Sequence, residues 1–404
     1  MPQIPGIIKS MTHKYTHNFD LSPDQRNVLN QLALWYRNPS PHITVGGYAG
    51  TGKTTMLSIF RDYLNKQKPT LKVAFAAFTG KAAQILQTKL IDQQVFFKQD
   101  YIGTIHRLIY TPLVSHTGQI ITWDKNEFLP YGLIIIDEAS MITQQIWNDL
   151  RSYKIPIIAV GDHGQLPPIE GDFNLMDKPQ LTLEQIHRQA ADNPIIQVAN
   201  LARETGEIPT KQFGPGVIKL PQSLPETQEY AEDIFRSFDQ DTLIICGTNK
   251  MRIQLNNYVR QIHERNPDMP EVGETVICLK NNYQNPTGPV YNGMIGQLSY
   301  IAPLEAHWYD AEIEFPYQNQ PYHTKLSQHQ FNQSQTLSTV EGLHFTEIGD
   351  RFDYGYALTA HKAQGSQAKR VLLFEQPGLW RGPDWNRWLY TAVTRATEEL
   401  IIIG

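Results

Sequence analysis

The sequence predicts an α/β protein made of two parallel-sheet units, interrupted by a small β-hairpin and by a larger β-rich insertion. Three observations carry this. Short apolar, β-prone runs alternate with amphipathic helical patterns, as in sheets covered by helices. The alternation occurs twice, in different sequences and without a fixed repeat period. The chain's 404 residues also exceed what one ordinary core organises.

In the first half, strands are expected at residues 42–45, 73–78, 133–137 and 156–160. A helix over 54–65 places Leu57, Phe60 and Leu64 on one face. Residues 111–123 (TPLVSHTGQIITW) read as a hairpin, two β-prone arms around His116-Thr117-Gly118. In the second half, strands are expected at 242–246, 370–374 and 400–403. A helix over about 385–397 turns Trp388, Leu389, Ala392 and Val393 toward a core. Residues 281–350 form the larger insertion, rich in Asn, Gln, Tyr and Pro, with Lys325 as its only cation. Within it, 294–301 and 308–315 look like paired strands ahead of a Gln-rich loop, LSQHQFNQSQTLST.

Composition narrows the function classes. An apolar fraction of 41% with 19% charged residues argues against extended disorder. No apolar run approaches the roughly 20 residues needed to cross a bilayer. The N-terminus, MPQIPGIIKSMTHKY, lacks the pattern of a signal peptide. Cys246 and Cys278 are too few for a disulfide framework and sit in apolar runs, LIICG and VICLK, which predicts buried free thiols. A reducing cytoplasm fits all of this. The net charge of −5 lacks the basic footprint of a nucleic-acid binder. Any such site must be a local groove of hydrogen bonds, stacking and a few cations.

The chemistry enters with Gly47-Tyr48-Ala49-Gly50-Thr51-Gly52-Lys53-Thr54, which satisfies G-x-x-x-x-G-K-[ST]. Its glycines let backbone N–H groups turn toward phosphate oxygens at a helix N-terminus. Lys53 is expected at the β- and γ-phosphates and Thr54 on Mg²⁺. The run LIIID ends in Asp137-Glu138, two carboxylates at the carboxyl edge of the sheet, where α/β ligands bind. Asp137 is expected on Mg²⁺, and Glu138 on the attacking water. The run IIAVGD leads to Gly164-Gln165-Leu166-Pro167-Pro168. Gln165 there either senses the γ-phosphate and water or is an exposed residue on a Pro-stiffened loop.

In that order these residues resemble the RecD–Dda branch of superfamily 1 helicases, from about Leu21 to the C-terminus. LSPDQRNVLNQL resembles the Q motif, GYAGTGKTT motif I, AFTGKAAQIL motif Ia, TIHRLI motif Ib, IIIDEASM motif II and VGDHGQLPPIE motif III. LEQIHRQ carries Arg188 at the place of the motif IV arginine. VICLKNNY with VYNGMIGQL is similar to the RecD-type C-terminal signature; YALTAHKAQGSQ resembles motif V and LYTAVTRA motif VI.

The resemblance implies two RecA-like domains, a hairpin that serves as strand-separating pin, and an SH3-like β-barrel. It places domain 1A at 1–185, with the hairpin 1B at 111–130, domain 2A at 186–280 plus 351–404, and the accessory insertion 2B at 281–350. It implies an ATP-dependent DNA helicase moving 5′ to 3′ on single strands. Gln25 would read the adenine edge. Gly47, Ala49, Gly50, Thr51, Gly52, Lys53, Thr54, Thr55 and Gly365 would line the nucleotide, with Thr54 and Asp137 on Mg²⁺. Lys53, Glu138, Gln165, Arg188 and Arg395 would form the catalytic set, the two arginines arriving when the domains close. Thr79, Gly80, Thr104 and His106 would hold the strand on the first domain, and Asn249, Thr359 and His361 on the second. His116, Thr117 and Gly118 would form the pin's tip. Motif V reads HKAQGSQ, without the acidic residue that some relatives place near the ribose, so tight selection of ATP over dATP does not follow.

The expected partners are single-stranded DNA and single-strand/duplex junctions, engaged by a monomer, with a single-strand-binding protein or replisome component as a further partner and no membrane. Two rivals remain: an ATP-gated clamp or loader that does not travel, and an RNA-directed motor or the motor subunit of a recombination nuclease. The first should lack Glu138 or the distant arginines, and all are present. The second should carry a nuclease carboxylate cluster or added docking sequence, and neither is evident.

Overall fold

In a computed structural model of the protein, the described residues are 21–404 apart from 115–119, 169–172, 186–191, 283–284, 289, 317, 319 and 345–346. Contacts divide the chain into two units. One comprises Met1–Tyr110 and Lys125–Gln197, the other Thr111–Asp124 and Val198–Gly404. The division thus falls after Gln197 rather than at 185, and the hairpin segment groups with the second unit.

The first unit is organised by β1 (His42–Gly47), β2 (Val73–Ala77), β3 (Tyr101–Thr104), β6 (Leu133–Asp137), β7 (Ile157–Gly161) and β8 (Leu181–Leu183). They form one sheet in the order β3-β2-β6-β7-β1-β8, every pair parallel. The strands read as continuous apolar runs because both faces are covered. Alternate residues serve alternate faces. Val73, Phe75, Leu133, Ile135, Ile158 and Val160 join one core, and Ala74, Ala76, Ile134, Ile136, Ile157 and Ala159 the other.

On the first face pack α1 (Pro23–Arg37), through Val28, Leu29 and Leu32, and α2 (Lys53–Gln67), through Leu57, Phe60 and Leu64. On the second packs α5 (Gln144–Ser152), through Ile146, Trp147 and Leu150. Two more helices, α3 (Gly80–Asp92) and α4 (Ile105–Ile109), follow β2 and β3. A buried bidentate pair, Arg61 Nε to Asp100 Oδ2 at 2.8 Å and Nη2 to Oδ1 at 3.0 Å, fastens α2 to the start of β3, and the Val73 N–H of β2 also donates to Asp100.

The hairpin strands β4 (Tyr110–Val114) and β5 (Ile120–Lys125) pair with each other. Both root residues reach Asp149 on α5: Tyr110 Oη donates to it at 2.6 Å, and Lys125 Nζ lies 3.5 Å away. The expected tip, residues 116–118, lies outside the described residues.

The second unit holds α6 (Pro194–Glu204), for all but its first turn, then β9 (Gln212–Gly214), β10 (Val217–Leu220), α7 (Pro225–Arg236), β11 (Thr242–Cys246) and α8 (Asn249–Ile262). A run of antiparallel strands follows: β12 (Thr275–Cys278), β13 (Ile295–Leu304), β14 (Trp308–Glu314), β15 (Tyr322–Ser327) and β16 (Phe352–Tyr354). The unit closes with β17 (Ala357–Thr359), β18 (Ala368–Phe374), α9 (Pro383–Val393) and β19 (Ala396–Ile403). Its main sheet, β17-β11-β18-β19-β10-β9, is parallel except for the antiparallel edge pair β9–β10.

The antiparallel sheet runs β15-β14-β13-β12-β16. Along β14, Tyr309, Ala311 and Ile313 enter its core while Asp310, Glu312 and Glu314 face outward, the period-2 pattern of a one-sided sheet. Its strands extend beyond residues 281–350 on both sides, since β12 and β16 belong to it. A polar ladder on α8 joins it to the rest of the unit. Arg252 Nη1 donates to Asp353 at 2.7 Å, Asn256 Nδ2 to Tyr354 O at 3.0 Å, and Arg260 Nε to Glu274 at 2.7 Å. Both cysteines are buried free thiols, and burial pushes the Cys246 thiol up to about 12.

Candidate active site

The carboxyl edge of the first sheet gathers the polar residues that the apolar strands leave exposed. β1 ends at Gly47, level with Asp162 just past β7, while β6 ends at Asp137, two residues short of that level beside Val160. The loop from Gly47 to α2 turns through two left-handed glycines, Gly50 at φ 78° and Gly52 at φ 77°, a region that side-chain-bearing residues rarely enter. Gly47 is constrained differently. A Cβ there would stand 2.8 Å from Thr51 Oγ1 and 3.1 Å from the Lys53 stem. Thr51 is fully buried, and its hydroxyl closes the turn on Tyr48 O at 2.8 Å.

Lys53 begins α2 and folds back over the loop. Its ammonium donates to Gly47 O at 2.7 Å and Tyr48 O at 3.0 Å, and lies 3.9 Å from Asp162 Oδ2. Asp162 is 1% exposed and was missed by sequence reasoning, although it ends the IIAVGD run. Its carboxylate accepts from Gly164 N at 2.9 Å and from Gln165 Nε2 at 3.5 Å. This acid therefore connects the lysine to the Gln165 loop. Gln165 is buried, and its Oε1 is an acceptor with no protein hydrogen bond among the described residues. The exposed-loop alternative for Gln165 does not fit that burial.

Burial pushes the Asp137 carboxyl up, while Lys53 and the Glu138 N–H pull it down. Glu138 N donates to Asp137 Oδ1 at 3.0 Å, and Glu138 itself adopts φ 55°. A non-glycine residue in this left-handed region carries strain that clusters at functional sites. Together the set fits a nucleoside triphosphate with Mg²⁺: backbone amides at a helix N-terminus, one ammonium, and hard oxygen donors at Thr54 and Asp137.

Gln25 is fully buried. Its Nε2 donates to Thr51 O at 2.9 Å and its Oε1 accepts from Ser22 N at 3.1 Å, in a capping box that starts α1. Beside it lies a second missed residue, Asp24, which accepts the amides of Glu184 and Gln185, each at 2.8 Å. Burial raises the Asp24 pKa, but hydrogen bonds from Ser22 and three amides outweigh it and hold the carboxyl below its usual range. Arg188 lies outside the described residues.

Two expected strand contacts on this unit are helix caps at the same sheet edge. Thr79 Oγ1 accepts from Ala82 N at 3.2 Å ahead of Gly80, and Thr104 Oγ1 from Arg107 N at 3.3 Å. His106 is packed near Phe78 and Tyr110, and burial lowers its imidazole to about 4. It is neutral at pH 7.

In the second unit, Asn249 opens α8 behind the capping Thr248, and Thr359 ends β17 with its hydroxyl accepting from Lys362 N at 3.4 Å. His361 lies 6.2 Å from the Trp380 ring, and burial lowers its pKa. Gly365 takes φ 73°. Arg395 sits in the turn between α9 and β19, where the sequence had suggested continued helix; its N–H donates to Ala392 O at 3.2 Å. Its guanidinium is 2% exposed and donates to Thr391 O, Ser366 O and Thr394 Oγ1 at 2.9, 3.2 and 3.0 Å. Motif VI is thus bonded to motif V.

A family model described as an AAA domain matches residues 20–213, and one described as a UvrD-like helicase C-terminal domain matches 354–403. The ATP-dependent RecD2 DNA helicase of Deinococcus radiodurans is 28% identical over 95% of this chain and 49% of its own length, so this chain spans about half of that relative. The ATP-dependent DNA helicase dda of Enterobacteria phage T4 is 27% identical over 72% of this chain and 68% of its own. Among solved structures, a Pif1 helicase from Bacteroides in complex with ADP-AlF3 and ssDNA superposes with a TM-score of 0.50 at 19% identity, covering 95% of this chain and 92% of that one. That likeness concerns the fold alone, two α/β domains with parallel sheets. The RecBCD enzyme subunit RecD of Buchnera aphidicola is 31% identical over 95% of this chain and 74% of its own length, and with the motifs in collinear order the chain belongs to the RecD/Dda-like family of superfamily 1 helicases.

Proposed function

We propose that this chain is an ATP-dependent DNA helicase that translocates 5′ to 3′ on single-stranded DNA and separates duplex ahead of it. The observation that carries the reading is the convergence of Lys53, Asp137, Asp162 and Gln165 at one sheet edge, in a chain of this family.

In this reading the two parallel-sheet units are RecA-like domains 1A and 2A, the antiparallel strands form the SH3-like accessory domain 2B, and the hairpin is the pin. Its root contacts to Asp149 support a braced element. Lys53 leaves its loop carbonyls for the β- and γ-phosphates. Glu138 polarises the attacking water, and Gln165 orients it through the acceptor that no described residue fills. Thr54 and Asp137 would hold Mg²⁺, which would neutralise charge on the phosphates. Gln25 and Gly365 complete the nucleotide set.

Arg188 and Arg395 bring cations to the γ-phosphate when the domains close, so ATP favours the closed form and hydrolysis releases it. Thr79, Gly80, Thr104 and His106 on one domain, with Asn249, Thr359 and His361 on the other, hold the strand alternately. Hydroxyl, amide and neutral imidazole donors suit sequence-independent phosphate contact and agree with a net charge of −5. The protein works as a monomer in the cytoplasm, on junctions between single and double strands.

Strand displacement on duplexes with a 5′ or a 3′ single-stranded tail, in DNA and in RNA, tests this directly. Displacement from the 5′-tailed DNA is expected. Displacement only from 3′ tails overturns the polarity, a preference for RNA overturns the substrate, and ATP-dependent binding without displacement marks a clamp.

A further inference from the structure

At the carboxyl edge of the second parallel sheet lies a cavity of about 320 Å³, lined by the last residues of β18 and β19, by residues that follow β10 and β18, and by Met251 of α8. Phe374, Ile403, Leu379 and Met251 give it apolar contacts, while Gln222, Glu375 and Gln376 make its lining polar on balance. Glu375 is the charged residue among them. Its side chain is only 7% exposed, and Oε2 takes the Lys219 ammonium at 2.5 Å, while Oε1 has no hydrogen-bond partner among the described residues. Gln376 also lines the cavity, and its Oε1 is fixed by Gly247 N at 2.8 Å. A Cβ at Gly247 would stand 2.7 Å from the end of the Leu379 side chain and 2.8 Å from that of Gln376, so these side chains would have to shift. The next two residues are Thr248, which caps α8, and Asn249. The cavity is therefore built against the loop that carries an expected strand contact.

Its chemistry selects a ligand. Lys219 already balances the charge of Glu375, so a second cation gains little there. A buried acceptor oxygen instead calls for a neutral N–H donor. Phe374, Leu379, Ile403 and Met251 offer apolar contact to a flat ring beside the polar lining, and the volume lies at the small end of ligand pockets. An unpaired base with an exocyclic amine satisfies all three; cytosine N4 and adenine N6 are such donors, whereas thymine presents a carbonyl at the corresponding place.

We propose that this cavity is a nucleobase subsite on the second domain, which takes one unstacked base of the bound strand and favours amino-bearing bases over thymine through Glu375. The inference rests on the reading that the chain binds single strands. It adds a base preference to a track otherwise built for backbone contact.

The test is the affinity of the full chain for labelled oligo(dC) and oligo(dT) of equal length at one fixed salt concentration, since salt alone moves such affinities. Oligo(dC) is expected to bind about tenfold tighter, the value of one hydrogen bond to a charged acceptor. In Glu375→Gln, with an amide donor available to the cavity, the ratio should fall to about one or invert. Leu379→Trp, at the exposed rim, should also reduce it by blocking entry. Equal affinity of the unaltered protein for both oligomers overturns the subsite while leaving strand binding intact. Binding to neither overturns the strand-binding reading itself. A tenfold ratio that persists in Glu375→Gln removes Glu375 from the site. Equal affinities together with Glu375-dependent binding of a lysine-bearing peptide would make the cavity a peptide site and overturn the proposal.

Discussion

Arg395 is the residue whose role depends most on where its neighbours hold it. Its three nitrogens donate to Thr391 O, Ser366 O and Thr394 Oγ1, which fixes the guanidinium between the segment after β17 and the end of α9. Arg395→Ala should keep ATP binding, read by a fluorescent analogue, and lower turnover by about 10³-fold; near-normal turnover removes it from the catalytic set. His106 gives a test by pH. Its folded-state pKa of about 4 lies below the ordinary value near 6.5. The unfolded chain therefore takes up the proton first. The stability that His106 contributes is fully present above about pH 6.5 and declines as pH falls toward 4, by on the order of 3 kcal/mol. His361 is shifted the same way. Thermal unfolding of His106→Phe should show a shallower loss than the parent between about pH 7 and about pH 5; an identical slope contradicts the burial. Lys53, Asp137 and Glu138 were expected from local motifs, whose spacing is itself the signal. Asp162 and Asp24 were not legible, since their partners lie far along the chain, Lys53 for one and Glu184 for the other. Nor did the sequence say that both ends of the Gln25 amide bond within the protein.

At the scale of elements, most of the first sheet was legible because its strands are uninterrupted apolar runs, and the expected 133–137 and 242–246 strands appear with those bounds. The short edge strands β8 and β9 were not, since three residues carry no readable period. The root of the antiparallel sheet was hidden for another reason. β12 and β16 frame the insertion, and their attachment to α8 runs through side chains spaced four apart, Arg252, Asn256 and Arg260, which read as an ordinary polar helix face. Asn256 is the most exacting of the three. Its side chain bonds Tyr354 O at 3.0 Å and accepts from Ala357 N at 2.7 Å, in a fully enclosed setting. Asn256→Leu strands both backbone groups and should cost about 2–4 kcal/mol, read as a lower urea midpoint. A loss below about 0.5 kcal/mol would mean that water or a shifted backbone replaces the ladder.

Over the whole molecule, sequence and structure agree on two α/β units with parallel sheets and disagree on where the chain divides. Residues 111–124 group with the second unit although they interrupt the first in sequence, because contacts and not adjacency define a domain. The acidic net charge is the whole-chain property most at odds with the proposed nucleic-acid motor, in which uncharged donors at sheet edges and helix caps would hold the strand. The proposed function requires that the Lys53 site drive the strand-dependent chemistry. The most direct measurement is ATP hydrolysis by Lys53→Ala with and without single-stranded DNA, alongside strand binding by fluorescence anisotropy. The predicted result is loss of DNA-stimulated hydrolysis with measurable strand binding retained. Hydrolysis that survives the substitution and still rises on adding DNA would contradict it.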